Sequence, residues 1–388
     1  MAKQARIEEI QYLRGFAFLA VVLQHAIGHY AYLPEARMED GALLAILLIA
    51  AKFAVPMFIF ITGLVLFYNY TSKVSCGSFL LKRCKDIILP YAIWSVIYAL
   101  VFGDLSSGFW IESKQVVMDL FTGKASYHLW YVVMSIQLYL LFPLIQGGLQ
   151  QLWQRWKPWA LRCAFLLLCA GYLLLTREVG TIGSLFEKIY IPVLTPLFTE
   201  YADRNALYFF IYFLMGAAAG MNLQAWKQKV LKTKWLWISL YLVFSGILLY
   251  NILGSFQQKG QLVIQYNDTL LVQPFMAVFL MLSVLAMSIA AIALGEKESL
   301  KSQRLFSFLG KHSYGAYLAH ALMLTFGTWI TDMLLPGWNV TVKTVVAFVL
   351  CSAFSVATAW LLDKWSIGRF LVGTAKQRKP AVQPSKAM

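Results

Sequence analysis

IQYLRGFAFLAVVLQHAIGHYA, residues 10–31, is an apolar run long enough to cross hydrocarbon, yet it carries an arginine at position 14 and a histidine at position 25. In a helix the eleven steps from Arg14 to His25 turn through about 1,100° and rise roughly 16 Å, so both side chains lie on one face, about half a bilayer apart. Ionisable groups inside a span are costly unless they line a cavity, find partners or do chemistry. The same two residues interrupt what would be the h-region of a secretory signal, and no A-x-A cleavage pattern follows, so the segment is expected to be retained.

The surrounding chain has the same character. It is 60% hydrophobic and 13% charged, against roughly 25% charged for an ordinary soluble domain. Apolar runs recur at about residues 10–31, 42–68, 86–103, 128–147, 160–175, 206–222, 235–254, 271–294, 313–335 and 342–362, with no stretch of soluble-domain composition between them. The expected fold is all-α: one polytopic transmembrane bundle of about ten spans over residues 1–372, followed by a basic, disordered tail over 373–388. The five cysteines form an odd set without C-x-x-C, so neither disulfides nor a structural metal is expected.

A net charge of +15 would suggest nucleic acid in a soluble protein, but here its distribution decides its meaning. With ten spans, 23 of the 33 lysines and arginines fall on the side of the N-terminus, eight fall on the other side, and Arg14 and Lys52 lie within spans. The positive-inside rule then makes both termini cytoplasmic and the partner a lipid bilayer, with no nucleic acid. The tail would rest on anionic lipid, worth about 1 kcal/mol per basic residue near the surface.

Several residues within this frame could do chemistry. His25 and His29, one turn apart, lack an evident third ligand, so no metal is expected; a neutral imidazole is instead suited to take a proton from a hydroxyl. Taken alone, His25 fits a packed, hydrogen-bonded histidine equally well. Arg14 is either a snorkelling residue or a grip on an anionic or carbonyl-bearing donor. Lys52, in mid-span just before Pro56, should line a polar cavity. Lys82, Arg83 and Lys85 are explained by topology, and would also suit the phosphates of a nucleotide-bearing donor. Gly216 and Gly220 form a G-x-x-x-G read as a helix-packing surface.

Five segments in order, LRGFAFLAVVLQHA, KFAVPMFIFITGLVL, LKRCKDIILPYAIWS, YHLWYVVMSIQLYLLFPLI and LGKHSYGAYLAH, make the chain resemble the acyltransferase-3 family of integral membrane acyltransferases over most of its length. The resemblance implies transfer of an acyl group, most often acetyl, from cytoplasmic acyl-CoA to a hydroxyl of an extracytoplasmic or lipid-linked saccharide, with no permanently bound cofactor. It implies a bacterial cytoplasmic-membrane location of surface-polysaccharide type. His25 stands at the family's essential histidine, Arg14 at its partner arginine, Lys52 at a basic position before the proline, and Arg83 at the first arginine of an R-x-x-R pair. The chain departs from the pattern at Asp86, where the second arginine would stand, and at Thr62, which replaces serine.

On this reading Lys82, Arg83, Lys85, Ser313, Tyr314 and His320 face the donor, with His320 at the depth of Arg14. Lys52, His29, His128, Trp130 and Tyr131 line the cavity or hold the acceptor, with the last three opening the fourth span at the outer face. A different class, an exporter of polysaccharide or lipid-linked sugar, would also place Arg14, Lys52 and His25 along a pathway, although no internal repeat is present. A third reading is an enzyme-like sensor without activity.

Overall fold

Where water is absent a helix satisfies every backbone N–H and C=O within its own segment, and the apolar runs take that solution. The computed structural model describes residues 7–72, 74–103, 109–258, 261–296 and 300–373. The basic tail expected from residue 373 lies, from 374 onward, outside the described residues, as do Lys3, Arg6, Lys73, Lys259 and Lys297 of the loop-charge distribution. In chain order the helices are α1 (Glu8–Tyr30), α2 (Met38–Ala51), α3 (Ala54–Asn69), α4 (Cys76–Arg83), α5 (Leu89–Phe102), α6 (Phe109–Thr122), α7 (Trp130–Arg155), α8 (Pro158–Arg177) and α9 (Val179–Ile189). They continue as α10 (Leu194–Phe198), α11 (Phe210–Met221), α12 (Leu223–Lys232), α13 (Lys234–Ser255), α14 (Pro274–Glu296), α15 (Leu300–Leu334), α16 (Val340–Lys364) and α17 (Ser366–Val372).

Among the described residues eight spans are long and apolar enough to cross a membrane: α1, α2 with α3, α4 with α5, α7, α8, α13, α14 and α16. A ninth would be Ala206–Met221 joined to α12, but the chain bends by 108° between them. The expected span at 313–335 is the second half of α15, a helix of 35 residues that is not apolar in the same sense. Its His312, Ser313, His320, Thr328 and Thr331 are buried, so this helix keeps its polar side chains among protein groups and away from lipid. The ten expected segments are thus all helical, but they differ in kind.

The centre is built on α1, α15 and α16. α1 and α15 run parallel: Gly310 lies against Gln11, His25 against His320, and the Tyr30 hydroxyl donates to Asp332 at 3.2 Å. A side chain at Gly310 would put its Cβ 1.9 Å from the Gln11 carbonyl oxygen, so only glycine permits this approach and the register that follows from it. α16 returns antiparallel to α15, with Asp363 meeting Lys311 at 3.0 Å and Cys351 lying at the His320 carbonyl, 3.3 Å away. The expected glycine packing is present at α11, where a Cβ at Gly216 would stand 2.0 Å from the Phe60 carbonyl oxygen of α3.

Two polar layers close the ends of this bundle. At one, Lys311 pairs with Asp363 and Lys227 with Glu9. At the other, Lys343 pairs with Asp332 at 3.1 Å and Thr341 Oγ1 donates to Asp40 at 2.7 Å. From Lys311 to Asp332 along α15 is about 32 Å, the thickness of a hydrocarbon core. His320 lies about 14 Å from the first and about 18 Å from the second, close to the middle.

Candidate active site

Three histidines from three separate parts of the chain meet at that depth. The His25 ring of α1 stacks on His320 of α15 with centroids 5.2 Å apart, and His128, in the loop before α7, meets His320 edge-on at 4.4 Å. His128 is 2% exposed and His320 is fully buried. Tyr127 covers His25 at 4.6 Å, while Tyr98 and Tyr317 press on His128 at 5.4 and 5.2 Å. The Tyr317 hydroxyl donates to the His128 carbonyl, which pins the loop, and Tyr98 donates to the Leu318 carbonyl at 2.7 Å.

These contacts set the chemistry of the rings. The His320 Nδ1 faces the Tyr317 carbonyl, an acceptor only, so Nδ1 carries the proton and Nε2 presents a lone pair. His128 Nδ1 lies 3.1 Å from Ser126 Oγ. The Nε2 atoms of His128 and His320 are both buried with no hydrogen-bond partner among the described residues. Each of these ring nitrogens has the capacity to hydrogen-bond a polar group that enters the cluster. Among the described residues no group of three His, Cys, Asp or Glu side chains is arranged to hold a metal.

Lys52 reaches this centre through a break in the span. Pro56 lacks an N–H and its ring displaces the carbonyl four residues earlier, that of Lys52, so the helix ends at Ala51 and restarts at Ala54. Gln24 of α1, beside His25, donates from Nε2 to the Ala51 carbonyl at 2.8 Å and takes up one of the freed acceptors. Lys52 stands close enough for its charge to be felt at His25.

Toward the end closed by Lys311, aromatic side chains continue from the histidines. Tyr131 lies 5.8 Å from Tyr317 and within the field of Arg14, and the Tyr314 hydroxyl donates to the Ile87 carbonyl at 2.7 Å. Ile87 belongs to a π-helical turn, Cys84–Ile88, between α4 and α5, where Pro90 cannot donate and the local ladder is loosened. Just before it, the Arg83 guanidinium rests on Phe79 at 5.1 Å and Tyr139 at 5.2 Å, with its Nε buried and unpartnered among the described residues. Lys82 and Lys85 are exposed beside it.

On the loop that carries His128, four residues earlier, Lys124 pairs with Glu200, and Arg204 donates to the Thr122 carbonyl while holding Asp203 at 2.8 Å. The bond from Lys124 holds the Glu200 carboxyl below the usual range and raises the lysine. The pair therefore persists at neutral pH and is lost as pH falls through the lowered value. Both groups are solvent-facing, so its weight in stability is small.

Of the residues singled out in the sequence, His25, His128 and His320 converge, Lys52 adjoins them, and Arg14, Tyr131, Tyr314 and Arg83 follow along one path. Two depths differ from expectation. His320 sits at the level of His25 and not of Arg14, because α15 runs parallel to α1 in the register fixed at Gly310 and Gln11. His128 is buried in the bundle and not at an outer face, because the loop before α7 is drawn in by Tyr317. His29 stays apart, exposed, with its ring against Tyr30 at 4.7 Å; Trp130 turns to Phe209 at 5.9 Å; Ser313 Oγ is taken by the Gly310 carbonyl at 2.9 Å. Tyr98, Tyr127 and Tyr317 were not singled out. Tyr317, one turn before His320, and Tyr127, next to His128, were within reach of a helical-spacing argument, whereas Tyr98 carries no local signal.

Comparison with known proteins gives three results. The acyltransferase domain family matches residues 7–364. Among curated proteins, one of Bacillus subtilis (strain 168) named as a membrane-bound acyltransferase, YfiQ, is 22% identical over 394 residues, covering 97% of this chain and 98% of its own. No solved structure matches the chain.

Proposed function

The chain belongs to the acyltransferase domain family and is a multi-pass membrane acyltransferase, and from that premise we propose that it moves an acyl group, acetyl before longer chains, from acyl-CoA to a saccharide hydroxyl across a bacterial cytoplasmic membrane. The observation that carries this reading is the stack of His25 on His320, with His128 edge-on to it, at about half the height between two polar layers. A site at that depth is reachable by a thin thioester arm from one side and a hydroxyl from the other.

In the proposed reaction the acyl-CoA phosphates rest on Lys82, Arg83 and Lys85, and the arm passes the aromatic path, where Arg14 donates to one of its carbonyl oxygens. His25 takes the proton of the acceptor hydroxyl as its oxygen attacks the thioester carbonyl. The carbon–sulfur bond breaks, the thiolate leaves, and the proton passes from His25 to sulfur, so the products are the ester and free CoA. Lys52, a cation near His25, would stabilise the negative charge that develops on the thioester carbonyl oxygen, and His320, stacked on His25, would orient its ring. Lys124 and Arg204 line the approach of the acceptor. The exporter reading has no counterpart in an acyltransferase domain, and the family and its relative favour the enzyme over an inactive sensor.

The test uses purified protein in liposomes with acetyl-CoA labelled in the acetyl group and envelope saccharide as acceptor. The reading expects free CoA thiol and saccharide-bound label in equal amounts. Movement of saccharide without thiol release would overturn it.

A further inference from the structure

A cavity of about 370 Å³ lies where the end of α3, the last turns of α7 and the bend between α11 and α12 meet. Its lining includes Tyr68, Gln150, Trp153, Gln154, Asn222 and Gln224, and no charged side chain contributes to it. The volume is that of a small-ligand site, roughly 300 Å³ or more. The Gln150 amide is engaged with Tyr70 and Gln146, and the Asn222 oxygen accepts from the Ala225 N–H. The amides of Gln154 and Gln224, beside the faces of Tyr68 and Trp153, are therefore the ones that offer both donor and acceptor, which suits a flat polar heterocycle better than an acyl chain or a phosphate. Glutamine and asparagine amides match the donor and acceptor edge of adenine, and aromatic side chains stack on nucleobases of any kind.

The location gives this chemistry a purpose. The segment after α3 forms one wall, and it is fixed from α7: Gln150 Nε2 donates to the Tyr70 carbonyl at 2.8 Å, and Gln146 Nε2 donates to the Tyr70 and Ser72 carbonyls at 2.8 and 2.9 Å. On its other side the Tyr70 ring meets Phe79 at 5.5 Å, and Phe79 carries the Arg83 guanidinium. The cavity and the basic cluster are therefore separated by one strip of chain. Along α7, Gln150 is about 28 Å from Tyr131 at the histidine cluster, a separation that calls for a long, thin donor. We propose that this cavity binds the adenine base of the acyl-CoA donor, with the phosphates turned toward Arg83 and the arm running along α7 to the histidines. This rests on the acyl-CoA reading above and adds to it the place that recognises the nucleotide.

The probes are coenzyme A, phosphopantetheine and adenosine bisphosphate, with the full-length protein in nanodiscs. Wild type should bind coenzyme A more tightly than phosphopantetheine, and adenosine bisphosphate should displace coenzyme A. Trp153→Ala should weaken coenzyme A about tenfold, within what base stacking contributes, with phosphopantetheine unchanged, and Trp153→Phe should restore most of the loss. Equal affinity of wild type for coenzyme A and phosphopantetheine, or no displacement by adenosine bisphosphate, would overturn the base site and leave the donor reading standing. Should wild type bind neither coenzyme A nor phosphopantetheine, the donor reading fails and the base site with it. The displacement experiment needs no variant, so it decides even where Trp153→Ala does not fold.

Discussion

His25 is held by ring contacts to His320 and Tyr127, and its replacement by alanine removes a half-buried ring without stranding a charge. His25→Ala is therefore expected to insert and fold while acyl transfer falls by about 100-fold or more, the range for loss of a general base; thermal unfolding and thiol release on the same preparation check both halves. Tyr317→Phe takes the donor from the His128 carbonyl and should cost about 1 kcal/mol of stability together with a several-fold loss of turnover. The sequence made His25, Arg14 and Lys52 legible because each is ionisable where hydrocarbon is expected. It also marked His128 and His320 as worth attention. Their meeting was hidden, because ring contact between residues 25 and 320 depends on the register of two parallel helices, and that register is set by one backbone approach at Gly310.

At the scale of elements, the break between α2 and α3 is the feature that brings Lys52 to the histidines. Pro56→Ala restores an N–H that can reach the Lys52 carbonyl, so the span should straighten. We expect thermal stability equal to or above wild type, since proline inside a helix costs up to about 3 kcal/mol, together with a marked fall in turnover; unchanged turnover would show that the break has no part in the site. The α3 and α11 crossing gives the opposite pattern. Gly216→Leu must push the helices apart at Phe60, and should lower stability by about 1–3 kcal/mol or more, read by unfolding in detergent. Apolar runs predicted nearly every span because length and composition suffice for that. They said less about α15, whose buried polar residues are meaningful only once its protein neighbours are known, and less about the loop at His128, which is drawn inward by a hydroxyl far away in sequence.

For the whole molecule, we propose from the uneven loop charges that the Lys311 layer faces the cytoplasm and the Asp332 layer the outside. Single cysteines placed at exposed Lys301 and Trp338, in a background without the native cysteines, should be labelled from opposite faces of sealed vesicles, Lys301→Cys from the cytoplasmic face. Labelling of both from one face would remove the path between compartments. The central claim is that acyl groups pass to a saccharide at His25, and mass spectrometry of envelope glycans tests it most directly, in cells carrying wild type, His25→Ala or no copy. The account predicts an acyl mass on a glycan with wild type alone, at equal membrane levels of the two proteins. The same acyl mass with His25→Ala would contradict it.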